Sequence, residues 1–449
     1  MRDDEGRPDE GRPDDDAPRE RGFATVQVHA GQERPDPASG ARAVPIHPTT
    51  SYVFEDADHA EALFAGTATG NRYARMDNPT VATFEARLAA LEGAAPPATV
   101  AFASGQAATT TAMTTLASPG RTWVVSDRVF GGTASVVRDV LTPFGVGVRW
   151  VAPEPDAVAA ALDDDVVGVW VETIANPSGD VPDLAALADL AHGAGAPLVV
   201  DNTWGAGGYL CRPLEHGADL VVHSATKWIG GHGVAMGGAL LDGGRFDFSA
   251  DPARYPALHR ADARGRSSVA RAPDAPVAHA ARRLGLAAMG MTLSPHAAFA
   301  LLQGLETLDL RVGRASASAL ALAEAWRALD GVASIAYPGV PEHPSHEVAR
   351  RVLRGGFGTV LTVRFESEAL ARATLDRLTL ISHLANVGDA KTVAIHPWTT
   401  THAGLAPDAR RAAGVTPEDV RISIGIEAVA DLDADLRAAL RAARRAVGA

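Results

Sequence analysis

Among the residues able to form a covalent bond to a ligand, Lys227 stands out first by rarity. The chain of 449 residues carries 41 Lys and Arg, yet only Lys227 and Lys391 are lysine. Arginine stays protonated near neutral pH, whereas a lysine amine can lose its proton and act as a nucleophile. Lys227 also sits in a telling stretch, Asp-Leu-Val-Val-His-Ser-Ala-Thr-Lys-Trp-Ile-Gly-Gly-His-Gly from Asp219 to Gly233. Its apolar run reads as a buried strand that ends in two hydroxyls, an amine and a cluster of glycines.

A second polar group lies upstream. Ser104-Gly105-Gln106 precedes an Ala/Thr-rich helical run, so unpaired backbone N–H groups at a helix start stand beside a small hydroxyl, a ready anion site. Ser224 and Thr226 add hydroxyls next to the lysine. A phosphate site beside a reactive amine suggests pyridoxal 5'-phosphate, whose pyridine nitrogen also calls for a carboxylate. Asp201, directly after Leu198-Val199-Val200, is the candidate carboxylate. A protonated pyridinium would supply the cation that a buried Asp requires, and Phe130 could stack on the ring.

These residues need a scaffold that brings strand ends together. Apolar runs at Trp123–Ser126, Val148–Val151, Val167–Glu172, Leu198–Asp201, Leu220–Ser224 and Ala239–Asp242 alternate with helical segments such as Asp183–Ala194. Strands buried on both faces and separated by helices predict an α/β fold with a mostly parallel, doubly wound sheet. Such sheets bind ligands beyond their strands' carboxyl ends, where the polar residues fall here. Asn78-Pro79 predicts a helix start, with Phe84, Leu88 and Leu91 on one face. Residues 21–80 read as an extended arm, 81–305 as the large domain, and 306–449 as a smaller C-terminal α+β domain. Residues 244–285, dense in Arg, Asp, Ala and Pro, read as a long surface excursion.

Composition narrows the function classes. With 46% hydrophobic and 21% charged residues the chain is of ordinary globular type. The net charge of −13 and the lack of a basic cluster argue against a nucleic-acid partner. No apolar run is long enough to suggest a membrane span, so a cytoplasmic location is expected. The acidic tail 1–20 is predicted to be disordered. The single Cys211 leaves no disulfide framework or multi-cysteine zinc site. His343 and His346 are spaced i, i+3 between prolines and read as surface histidines, and no metal is assigned.

Taken together, these motifs resemble the Cys/Met metabolism family of pyridoxal phosphate enzymes. The resemblance is carried by His223–Gly233, Gly40–Ile46, Thr49–Tyr52, Asn78-Pro79-Thr80, Ser104–Ala108, Val200–Thr203, Leu301–Leu308 and Arg421–Glu427, in order. It implies the aminotransferase-like type I fold. Lys227 would then hold the cofactor and shuttle protons, Asp201 would pair with the pyridine nitrogen, and Asn176 would touch the ring hydroxyl. Gly105, Gln106, Ser224 and Thr226 would hold the phosphate, with Phe130 on the ring. Tyr73 and Arg75 match a Tyr-x-Arg that reaches a neighbouring subunit's phosphate, implying active dimers within a homotetramer. Arg421 would grip the substrate carboxylate, beside Asn386. Within the family, Ala385–Thr392 is most similar to the O-acetylhomoserine sulfhydrylases, which implies γ-replacement on an O-acylhomoserine by sulfide or a small thiol.

The chain also departs from the family pattern. Phe130 replaces a tyrosine, Trp204 a phenylalanine, Trp398 a smaller residue, and His47-Pro48 a Tyr-Gln pair. Either the pocket is reshaped, admitting another nucleophile or substrate, or the aromatics have drifted neutrally. Elimination of the methionine γ-lyase kind is the rival reaction, although Gly132 stands where that lyase carries a cysteine. A cofactor-binding assembly protein with little turnover is the non-enzyme alternative.

Overall fold

The run Leu198–Asp201 (β5) lies between Val166–Glu172 (β4) and Leu220–His223 (β6), parallel to both. All three are apolar on both faces because helices cover both sides of the sheet. The protein is described here from a computed structural model that covers residues 21–95 and 98–448. The expected tail at 1–20 lies outside the described residues.

Strands Thr99–Phe102 (β1), Thr122–Ser126 (β2), Gly147–Val151 (β3) and Gly238–Asp242 (β7) complete a seven-stranded sheet of order β1-β7-β6-β5-β4-β2-β3. From β3 to β6 every pairing is parallel, and β7 runs antiparallel to both β6 and β1. The expected mostly parallel, doubly wound sheet is therefore present. Strand β1 is an addition, a four-residue segment too short to register as an apolar run. One core lies on each face of the sheet.

The helix Pro79–Glu92 starts as predicted, with the Asn78 side chain accepting from the N–H groups of Thr80 and Val81. Phe84, Leu88 and Leu91 are fully buried. The segment before it holds two short helices, Phe23–His29 and Ala57–Ala65, joined by largely irregular chain.

The surface excursion expected at 244–285 is corrected. Phe248, Tyr255, Leu258 and Val277 are buried in the second core, and the Phe248 and Tyr255 rings meet edge-on at 5.2 Å. It holds three short helices, Pro256–His259, Ser268–Arg271 and Pro276–Ala281, two of them opened by proline in the first turn. Sparse apolar residues hid this packing because they anchor turns rather than follow one period.

A second, five-stranded sheet comprises Val332–Ala336 (β8), Val360–Phe365 (β9), Ser382–His383 (β10), Val393–Ile395 (β11) and Asp419–Ser423 (β12), in the order β10-β11-β12-β9-β8. Its core includes Leu322 and Trp326 of the helix Leu308–Trp326, and Leu432, Leu436 and Leu440 of the helix Val429–Val447. This is the smaller α+β unit the sequence predicts. Among the described residues, no helix is long and apolar enough to cross a membrane.

Candidate active site

Five strands of the large sheet end at one cavity of about 340 Å³, β1 leading into its lining residues Ser104 and Gly105. The exit of β6 supplies Ser224, Thr226 and Lys227, that of β5 supplies Asp201, Thr203 and Trp204, that of β4 supplies Glu172 and Asn176, and that of β2 leads to Phe130. Arg421 of β12, with Asn386 and Thr401, closes the cavity from the second sheet.

Local bonding fixes the lysine turn. The Ser224 N–H donates to Thr203 Oγ1 at 2.8 Å, the Gly237 N–H donates to Thr226 Oγ1 at 3.1 Å, and the Lys227 N–H donates to the Ser224 carbonyl. Lys227 Nζ donates to Asn386 Oδ1 at 2.8 Å. Burial, and then the neighbouring Arg421 cation, lower the amine from its ordinary value to about 8. An amine so placed is neutral in roughly a tenth to a fifth of molecules near physiological pH, far more than an ordinary lysine.

The helix Gly105–Leu116 aims its start at the same turn. Ser104 Oγ caps it by accepting from the Ala107 N–H at 3.1 Å. The N–H groups of Gly105 and Gln106 find no acceptor among the described residues. A Cβ on Gly105 would stand 2.6 Å from Ser224 Cβ, so only glycine lets this helix start approach the lysine turn. The result is an anion cradle of two amides and two hydroxyls.

Asp201 is half-buried in the cavity wall with one carboxylate oxygen accepting from the Thr203 N–H at 2.9 Å. No Lys or Arg pairs with it among the described residues. Burial raises its carboxyl above the usual range, against the hydrogen bonds from Thr203. Glu172, its register partner on β4, is driven well upward by burial and by the Asp201 charge. Glu172 Oε1 accepts from the Phe130 N–H at 2.6 Å, which fixes the backbone of the candidate stacking residue.

Arg421 is fully buried, and burial lowers its guanidinium to about 10. Nη1 donates to Asn176 Oδ1 at 2.9 Å and Nη2 to the Asn386 carbonyl at 3.3 Å, while Nε has no partner. A buried cation resting on neutral oxygens alone suits a carboxylate ligand. Behind it His402 is held neutral, lowered to about 4 by burial and by Arg421 and Arg410.

The lysine turn and the Asn386 loop interlock. Gly388 has φ +75°, and a Cβ there would meet the Trp228 backbone nitrogen at 2.7 Å; the Ala390 N–H donates to the Gly231 carbonyl at 2.8 Å.

Most of the sequence-predicted residues thus meet in one place, and their chemistry fits pyridoxal phosphate: an amine, an anion cradle and a half-buried carboxylate lacking a cation. Tyr73 and Arg75 do not line this cavity. Tyr73 is 42% exposed, and the Arg75 guanidinium lies 5.6 Å from its ring while donating to the Ala287 carbonyl. Of the unusual residues, Phe130 and Trp204 line the cavity, and Trp204 packs edge-on against Trp228 at 5.8 Å. Trp398 does not; its ring lies under Arg410 and Arg411, and His47 does not line this chain's cavity either. Lys391 is exposed and away from the cavity. His223 is a buried hydrogen-bonding residue, 2.6 Å from Glu92 Oε1. His343 is buried rather than at the surface, 3.1 Å from the Ser178 carbonyl. Sequence reading missed the roles of Glu172 and Thr203. An acid closing the run Val166–Val171, just as Asp201 closes its own, was the available signal for the first.

The chain matches the family of Cys/Met metabolism PLP-dependent enzymes over residues 24–441. It is 46% identical over 418 residues to an O-acetyl-L-homoserine sulfhydrylase of Thermus thermophilus, covering 92% of this chain and 98% of that one. A homocysteine synthase of Schizosaccharomyces pombe is 43% identical over 416 residues, covering 92% and 96%. Among solved structures, an O-acetylhomoserine (thiol)-lyase of Campylobacter jejuni, carrying pyridoxyl-lysine-phosphate, superposes with a TM-score of 0.89 at 30% identity, covering 93% and 99%.

Proposed function

The chain belongs to the Cys/Met metabolism family of PLP-dependent enzymes, with their type I fold, and from that premise we propose that it converts O-acetyl-L-homoserine and sulfide into L-homocysteine and acetate. The observation that carries this reading is the pairing, in one cavity, of a half-buried neutralisable amine with a buried guanidinium that has no carboxylate of its own.

Bound in this cavity, pyridoxal 5'-phosphate supplies an electron sink for charge developing at the substrate's α- and β-carbons. The amides of Gly105 and Gln106 and the hydroxyls of Ser224 and Thr226 hold its phosphate. Asp201 keeps the pyridine nitrogen protonated, and Phe130 covers the ring. Lys227 Nζ would hold the cofactor's aldehyde carbon. The released amine, oriented by Asn386 Oδ1, then carries a proton from the α-carbon. Arg421 fixes the substrate carboxylate bidentately, its geometry braced by Asn176 and Asn386. Loss of a second proton at the β-carbon lets acetate depart from the γ-carbon, sulfide adds there, and both protons return. Phe130 offers no hydroxyl for these transfers, so Lys227 is the proton carrier.

Tyr73 and Arg75 lie outside their own chain's cavity, so a phosphate contact from them requires a second copy. We therefore place the enzyme as active dimers within a homotetramer, working in the cytoplasm. The test is turnover of O-acetyl-L-homoserine with and without sulfide, following homocysteine and 2-oxobutyrate together. Homocysteine formed only with sulfide is the expected result, and 2-oxobutyrate formed in both reactions would assign a lyase instead.

A further inference from the structure

The segment 244–285 leaves one feature that the proposed reaction does not use. Its helices, with the chain around Arg72 and Asp77, enclose a second cavity of about 270 Å³ lined by six arginines and only two carboxylates. Three of the six are neutralised: Arg72 by Asp77 at 2.9 Å, Arg271 by Asp262 at 2.9 Å, and Arg282 by Glu85 from outside the lining. Arg260, Arg266 and Arg283 have no carboxylate partner among the described residues. Arg266 donates through Nη2 to the Ala65 carbonyl at 2.9 Å, while its Nε is buried without an acceptor. Arg283 donates only to the Ala257 carbonyl. His279, on the same wall, has its basicity lowered by burial and then by Arg271 and Arg283, a sign of positive potential.

Clustered guanidiniums repel one another, and the repulsion is stronger where water is partly excluded. In a chain of net charge −13, the concentration of arginine at one cavity is a local inversion of the overall charge. Planar forks of N–H donors match the oxygens of phosphate groups. We propose that this cavity binds a small multivalent oxyanion of the phosphate class, with Arg260, Arg266 and Arg283 as its cationic ligands. Within one chain the site is separate from the cofactor's phosphate cradle, with which it shares no lining residue.

The experiment is calorimetric titration of pyrophosphate into the protein saturated with pyridoxal phosphate, so that the cofactor's own phosphate site is filled. Binding of about one pyrophosphate per chain is expected, weakened about tenfold or more in Arg260→Ser/Arg283→Ser, whose positions are exposed and tolerate substitution. Arg266→Gln should weaken it further with the cofactor's absorbance unchanged. Absence of binding, or equal binding by the double variant, would overturn the proposal. Equal affinity for citrate would overturn the phosphate class. If pyrophosphate does not bind and the double variant instead sediments as a smaller species, the arginines serve a contact between copies and the proposal fails.

Discussion

The two walls of the cavity are charged in opposite senses and lack counter-ions for opposite reasons. On the large-sheet wall, Asp201 and Glu172 are carboxyl groups raised by burial. Facing them from the second sheet, Arg421 is a cation lowered by it, and Lys227, a cation lowered likewise, reaches from the exit of β6 toward that side through Asn386. The acids stand at adjacent strand ends, placed by backbone register; the cations hang on the amides of Asn386 and Asn176. Each wall is thus prepared for a partner that the chain does not supply: a pyridinium for the acids, an amino-acid carboxylate for Arg421. The difference teaches that cofactor recognition resides in the sheet, while substrate recognition depends on loops and a second sheet meeting it.

The strongest way to break this comparison is Lys227→Ala, which should lower turnover by about four orders of magnitude while the Asp201 wall still binds cofactor. Loss of cofactor binding altogether would mean that the acid wall cannot act alone. Next is pH. Cofactor capture by the cofactor-free protein needs the neutral amine, lowered to about 8, so its rate should fall roughly fiftyfold from pH 8 to pH 6 and level off above about pH 9. A rise continuing to pH 10 in stopped-flow absorbance would show that Lys227 is fully solvated. Arg421→Lys removes the guanidinium fork and should raise KM for O-acetyl-L-homoserine about tenfold to a hundredfold with cofactor affinity unchanged. An equal effect on both would merge the two walls. Gly105→Ala does the converse: its Cβ would crowd Ser224, costing about 1–3 kcal/mol, seen as weaker cofactor binding in equilibrium dialysis. The smallest effect belongs to Trp398→Leu, which loses contacts to Arg410 and Arg411 worth about 0.5–1 kcal/mol in thermal unfolding and leaves KM unchanged.

The acid wall was the more legible in sequence. Leu-Val-Val-Asp and Leu-Val-Val-His-Ser announce both strand and exit, because a parallel strand covered on both faces is apolar until its last residue. Short strand pieces announce little. Thr99–Phe102, Val393–Ile395 and Ser382–His383 are held by their neighbours rather than by any pattern of their own. Direction was also hidden. Trp204 and Trp398 are equal as letters, but one ring faces the cavity and the other lies under two arginines. The buried aromatics of 244–285 were missed because a segment pinned at scattered points shows no period.

The interlock between Gly388 and Trp228 bears on how this enzyme can diverge. The turn that carries Lys227 and the loop of Asn386, which touches both that amine and Arg421 on β12, cannot slide past each other, so the distance between amine and guanidinium is not freely adjustable. New substrates must share the α-amino acid end. Variation in chain length or nucleophile is therefore left to the positions at the rim, Phe130, Met236 and Thr401, where a designed library would best begin.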